Sequence, residues 1–124
     1  MIKANELRIG NYLQGDPLSI PRLQMYHNGI TAITGFGISA IENGNITSLK
    51  PIPLTIEILK NCGFVNRFDI YYTINNIISF TSFEGSIAES FICGDAKIKC
   101  KIKYLHQLQN LFFALTNEEL KIGL

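Results

Sequence analysis

Four lysines at alternate positions, Lys97, Lys99, Lys101 and Lys103, run directly into Tyr104 and His106. On a strand, alternate residues share a face and lie roughly 6.5–7 Å apart, so the four ammonium groups would form a ladder that repels itself. Acids across a sheet (Glu84, Glu89 or Asp95) would offset that repulsion, and so would an anionic ligand such as a nucleotide. In the ligand reading Tyr71, Tyr72 or Tyr104 stacks a base and Arg67 helps to hold phosphate. The plainer reading is a solvated face whose lysines discourage edge-to-edge pairing. The candidate ligand-binding set is therefore Lys97, Lys99, Lys101, Lys103, Tyr104 and Arg67.

His106 is the natural candidate for acid–base work, but such a base needs a nucleophile or an orienting carboxylate, and its own motif supplies neither. A structural histidine, bonded to backbone or amide groups, is the simpler expectation. His27, beside Asn28-Gly29, reads as exposed. Cys62, Cys93 and Cys100 contain no CxxC pair, so no metal site is expected. Gly35-Phe36-Gly37 lacks the GxxxxGK[ST] pattern of a phosphate loop, and no nucleophile elbow occurs. No catalytic residue and no cofactor are assigned, and an enzyme has no support in the motifs.

The element that must position these residues is a helix over Tyr104–Thr116. Leu105, Leu108, Leu111, Phe112 and Leu115 form an apolar stripe suited to docking on a sheet. The opposite side carries His106, Gln107, Gln109 and Asn110, and no charge occurs from Tyr104 to Asn117. A solvent-facing helix normally collects Lys and Glu, which solvate it and form i,i+4 pairs. Neutral amides point instead to a covered face, the cover being another part of the chain, another subunit or a ligand. His106, Gln109, Asn110 and Phe113 form the candidate interface, with a homo-oligomer as one consequence.

Upstream, Ala4–Leu13 reads as a short polar lead and a first strand with a bulge or close backbone approach at Gly10-Asn11, and Asp16-Pro17 as a turn. Asn28-Gly29, between Leu23–Tyr26 and Ile30–Ile33, is the strongest hairpin signal. Turns at Gly35–Gly37 and Glu42–Asn45 flank a further strand at Ile38–Ile41. Pro51 and Pro53 then hold an extended connector, and Thr55 caps a helix that Gly63 stops. From Phe68 the apolar period changes to two, giving strands over 68–74, 77–83, 87–93 and 98–104 with a turn at Asn75-Asn76. Asn117 can end the last helix in the left-handed conformation, and Glu118–Leu124 reads as a last short strand. The fold class is α+β: an N-terminal bent antiparallel β unit (a partial barrel), then a helix, a four-stranded β-meander, and a C-terminal helix docked on the sheet. Residues 1–124 read as a single domain, with 1–50 the β subdomain and 51–124 the helix–meander–helix half.

Composition narrows the setting. A chain of 124 residues suits one core, and 47% apolar content marks a folded protein rather than a disordered tail. The formal net charge of +1 gives no global attraction to nucleic acid or membrane, and neither half is a basic arm. The chain opens without an apolar run of the signal-peptide kind, and three irregularly spaced cysteines fit reduced thiols, so a cytoplasmic setting is expected. The uncharged stretch Leu23–Ile41 holds too many amides, threonines and glycines for a lipid-spanning helix.

Three segments carry a resemblance: Lys3-Ala4-Asn5-Glu6-Leu7-Arg8-Ile9-Gly10-Asn11, Pro51-Ile52-Pro53-Leu54-Thr55 with Gly63-Phe64, and Tyr104–Thr116 with Glu119-Leu120. In this order and spacing they resemble a family of small uncharacterised proteins of Bacteroides-type gut bacteria and their phages and mobile elements. The resemblance implies context rather than catalytic residues: a short product of the kind that often serves as an adaptor, a regulator or an antagonist of host defence. The expectation is a small non-enzymatic binding protein that captures a nucleotide signal or docks on a host protein. The alternatives are a homo-oligomeric adaptor without a small ligand and a small nucleotide-acting enzyme.

Overall fold

The structure, a computed structural model, describes residues 2–15, 30–44, 49–68, 71–74, 77–83, 86–87, 91–93, 96–98 and 102–123. The expected turns at Asp16-Pro17, Asn28-Gly29 and Asn75-Asn76 lie outside these, as do the strand at Leu23–Tyr26, His27, Lys99, Cys100 and Lys101. The described chain is α+β, with helices alongside two antiparallel sheets. It divides into two compact units, Met1–Pro53 with Tyr104–Asn110, and Leu54–Lys103 with Leu111–Leu124.

The first unit opens with a single 3₁₀ turn, Ala4–Glu6, followed by β1 (Tyr12–Gln14) and β2 (Ile30–Ala32). The strands pair antiparallel with Leu13 opposite Thr31. Gln14 and Lys50 exchange backbone hydrogen bonds of 2.9 and 2.8 Å, bringing the chain back beside β1. Ile2, Leu13, Ile33 and Leu49 form the core here, with Leu7, Ile38 and Ile41 packed against it.

That last pair corrects the sequence reading of a strand at Ile38–Ile41 behind a Gly-Phe-Gly turn. The segment is a helix, α1 (Gly35–Glu42), whose first turn is capped by Thr34 Oγ1 accepting the Gly37 N–H at 3.1 Å. The physical reason is periodicity. Ile38 and Ile41 both meet the same core, and residues three apart share a face only on a helix. A strand would send them to opposite sides.

The second unit begins as its sequence suggests. Thr55 Oγ1 accepts the Ile58 N–H at 3.2 Å and starts α2 (Ile56–Asn61), while Gly63 at φ +91° allows the reversal after it. Leu59 and Cys62 are buried. A six-stranded antiparallel sheet follows: β3 (Val65–Arg67), β4 (Tyr71–Ile74), β5 (Ile78–Phe83), β6 (Ser86–Ile87), β7 (Phe91–Cys93) and β8 (Ala96–Ile98). The main path runs β3-β4-β5-β7-β8, with β6 paired to β5. The four-stranded meander is thus β4, β5, β7 and β8, extended by an edge strand before it. Phe64 and Phe80 pack with ring centroids 5.9 Å apart. Buried Thr73 lies opposite Ser79, donates to the Ile78 carbonyl at 3.3 Å and accepts from Ser79 Oγ at 2.9 Å, so its hydroxyl is satisfied.

Two expectations fail in this unit. Phe68 does not begin the alternating strand, because its φ of +59° is incompatible with extended backbone, and its side chain is 82% exposed. Glu118–Gly123 is not a strand; it runs back with the Gly123 N–H on the Asn61 carbonyl at 2.8 Å and Leu120 buried.

Helix α3 (Leu105–Thr116) contributes residues to Asn110 to the first unit and residues from Leu111 to the second. It ends where expected, at Asn117 with φ +59°. Leu105, Leu108 and Phe112 are buried, whereas Leu111 is half-buried and Leu115 is 43% exposed, so the apolar stripe is shorter than expected.

Candidate functional site

The start of α3 is set by two backbone groups. The Leu105 N–H donates to the Ile52 carbonyl at 2.8 Å, and Gln107 Oε1 accepts the Tyr104 N–H at 3.1 Å, the reach-back half of a capping box. This orientation turns His106, Gln109 and Asn110 toward residues 6–12 of the same chain. There the chain makes a β-turn: the Asn11 N–H donates to the Arg8 carbonyl at 3.0 Å, with Gly10 third at φ +96°. A side chain in that conformation would be strained, so glycine is required.

Both ends of the Gln109 amide are spent on this turn. Its Oε1 accepts the Tyr12 N–H at 2.7 Å and its Nε2 donates to the Gly10 carbonyl at 3.2 Å. The side chain thus does for this stretch what a neighbouring strand would do. Asn110 is equally committed: Oδ1 accepts from Asn11 Nδ2 at 2.9 Å and Arg8 Nε at 3.2 Å, and Nδ2 donates to the Glu6 carbonyl at 3.0 Å. Arg8 Nη2 also reaches the Gln109 carbonyl at 3.3 Å, and Asn11 Oδ1 accepts the Arg8 N–H at 2.7 Å. The network clasps the turn and leaves Ile9 at its tip, 65% exposed.

His106 is the exception. Its ring is 1% exposed and stacks nearly parallel to Tyr104, with centroids 6.0 Å apart. Among the described residues, neither ring nitrogen has a hydrogen-bond partner. Nε2 lies 3.6 Å from Glu6 Oε2, just too far for a hydrogen bond. Burial pushes the imidazole pKa below 6.5, and the Glu6 carboxylate opposes that shift only in part.

The interface expectation is corrected here for two residues. His106 and Gln109 are 1% and 2% exposed and covered by their own chain, so they are not a surface for a second subunit. Asn110 is half-buried in the same network, and Phe113 is half-buried. The sequence reading missed Glu6, Arg8, Asn11 and Tyr12 as the cover. No local signal could have found them, because the two segments lie about a hundred residues apart in the chain.

Of the expected ligand set, Lys99 and Lys101 lie outside the described residues, and Lys97 and Arg67 do not come together. Lys97 belongs to β8 and Arg67 to β3, at opposite ends of the strand order. Four interstrand steps of about 4.8 Å separate them by about 19 Å. Arg67 does stand directly opposite half-buried Tyr71 on β4. Lys103 is exposed and lies outside any strand, its carbonyl accepting the Leu54 N–H at 2.9 Å, and half-buried Tyr104 is stacked on His106. The strand expected over 98–104 is, among the described residues, the shorter β8 at Ala96–Ile98.

Cys62 is buried and its thiol pKa is pushed up to about 12 by that burial, the opposite of a reactive cysteine. In native protein at pH 8 it should resist iodoacetamide and react once the chain is unfolded in urea, as read by peptide mapping; native alkylation at Cys62 would contradict its burial. Among the described residues no group of three or more His, Cys, Asp or Glu side chains is placed to hold a metal ion. None of their helices is long and apolar enough to cross a membrane.

No protein-family model matches the chain, and no curated protein or solved structure is detectably similar to it.

Proposed function

We propose that this chain is a small non-enzymatic binding protein, of the phage or mobile-element type its motifs resemble, which docks on a host protein and so interferes with host defence. One observation carries the reading. The polar side chains of the α3 motif that suggest a covered face in the sequence, Gln109 and Asn110, are occupied in holding residues 6–12, and what that effort presents outward is Ile9. A lone exposed isoleucine is ordinary on a protein surface. Here it stands at the tip of a turn held by side chains from a distant part of the sequence, so little conformational entropy remains to be lost on binding.

The test compares wild type with Ile9→Glu, purified from a bacterium of that type and weighed intact under native conditions. The wild type should carry a host protein in fixed stoichiometry. Ile9→Glu should lose it without a change in thermal midpoint, since the side chain is largely in solvent. A nucleotide retained by both proteins would move the reading to the lysine-rich stretch. A ligand-free homo-oligomer broken by Ile9→Glu would put a second copy on the turn instead. Turnover of a nucleotide that depends on His106 would end the non-enzymatic reading.

A further inference from the structure

The docking reading makes no use of His106, the one buried titratable side chain of the clasp. The groups that face it are specific. From the 3₁₀ turn comes the Glu6 carboxylate, 43% exposed, with Oε2 at 3.6 Å from Nε2. From the chain entering α3 comes the Tyr104 ring, stacked on the imidazole. One helical turn along lies Asn110, which is neutral and holds the Arg8 guanidinium on its Oδ1. The bonds that join Gln109 and Asn110 to residues 6–12 are made without the imidazole, whose two nitrogens are both buried and have no hydrogen-bond partner among the described residues.

A neutral imidazole tolerates this slot as a flat, weakly polar ring. An imidazolium fits it less well: the Glu6 carboxylate at 3.6 Å favours the charged ring but does not offset its burial, and the second N–H has no acceptor among the described residues. The charge must be rehydrated, and one wall of its slot is easily moved. The Ala4–Glu6 turn is one turn long, has no side-chain cap and buries none of its own residues. We propose that His106 and Glu6 form an acid-sensitive latch: protonation of His106 releases residues 4–11 from α3 while the sheet of the second unit stays folded.

The sign follows from linkage. The closed state holds the imidazole pKa below 6.5, whereas the opened segment lets it return toward that value. The open state therefore binds more protons, and its population rises as pH falls below 6.5 and levels off once pH passes the closed-state pKa. This behaviour does not depend on the docking reading and can hold or fail without it.

The experiment is an NMR titration of the full chain from pH 8 to 5, following the imidazole signals and the backbone amides together. His27→Ala assigns the two histidines. The His106 midpoint should lie below 6.5, and the amides of Leu7, Gly10, Asn11 and Tyr12 should shift with that same midpoint while those of Tyr72 and Phe80 do not. Glu6→Gln removes the carboxylate that favours the charged ring, so it should lower the midpoint further. His106→Gln should abolish the coupled shifts; if that variant does not fold, Glu6→Gln still decides the matter. Amides at 7–12 that ignore the His106 titration would overturn the latch. So would a transition in which Tyr72 and Phe80 change with them, since that is global unfolding.

Discussion

Leu108→Asp should cost about 5 kcal/mol or more and leave little folded protein at 25 °C. The side chain is fully buried in the second turn of α3, and removing such a leucine alone costs about 2–5 kcal/mol through lost burial and the cavity left behind. Aspartate adds a carboxyl group without water or a partner. It would avoid the full cost of a buried charge by taking up a proton, but the neutral acid is still an unsatisfied polar group costing roughly 1–3 kcal/mol. Domains of this size are stable by only about 5–15 kcal/mol, so the sum removes most of the margin. Urea unfolding followed by helical ellipticity measures the effect, with Leu108→Ala as the intermediate case. An unchanged midpoint for the aspartate variant would mean that α3 does not bury this position.

Gln109→Ala should be the most damaging change among the polar residues, at about 3 kcal/mol. It removes the side-chain partner of the Tyr12 N–H and of the Gly10 carbonyl at once, and losing the partner of a buried polar group costs roughly 1–3 kcal/mol, towards the lower end for part-buried groups such as these. Gln109→Met separates the causes. Methionine keeps nearly the same volume but makes neither bond, so a loss close to that of alanine assigns the cost to hydrogen bonding, and a small loss assigns it to the cavity. A fall of less than about 1 kcal/mol for alanine would show that the clasp does not hold residues 6–12. On the sequence alone this substitution would matter little if the amide face met a partner. The geometry reverses the expectation, because the partner is the chain's own backbone.

The contrast between these two residues shows where the sequence is legible. Leu108 belongs to a periodic apolar pattern, and burial can be read from periodicity since any neighbouring apolar surface satisfies it. Thr55 and Gly63 were readable for a similar reason: a cap and a left-handed stop act within a few residues of themselves. Asn117 belongs with them. The antiparallel sheet was visible in its period of two, although not its edge strand β3 or the off-path β6, whose short length leaves no pattern.

α1 was misread because Gly35, Gly37 and an apolar run satisfy a turn-and-strand pattern equally well. The choice depended on Ile38 and Ile41 meeting one core, which is a fact about Ile2, Leu13, Ile33 and Leu49 rather than about the helix itself. Gln109, Asn110 and His106 were recognisable in sequence as a face that needed covering. What covered it could not be read, since the partners lie about a hundred residues away, as the Tyr12–Gln109 separation of 97 shows. A hydrogen bond of that span leaves no local signature, because nothing in the composition of either segment specifies the other. Periodicity and capping therefore wrote the elements into the chain, while folding alone brought the amides of α3 onto the Arg8–Asn11 turn, left the imidazole of His106 unbonded beside Glu6, and set Arg67 and Lys97 at opposite ends of one sheet.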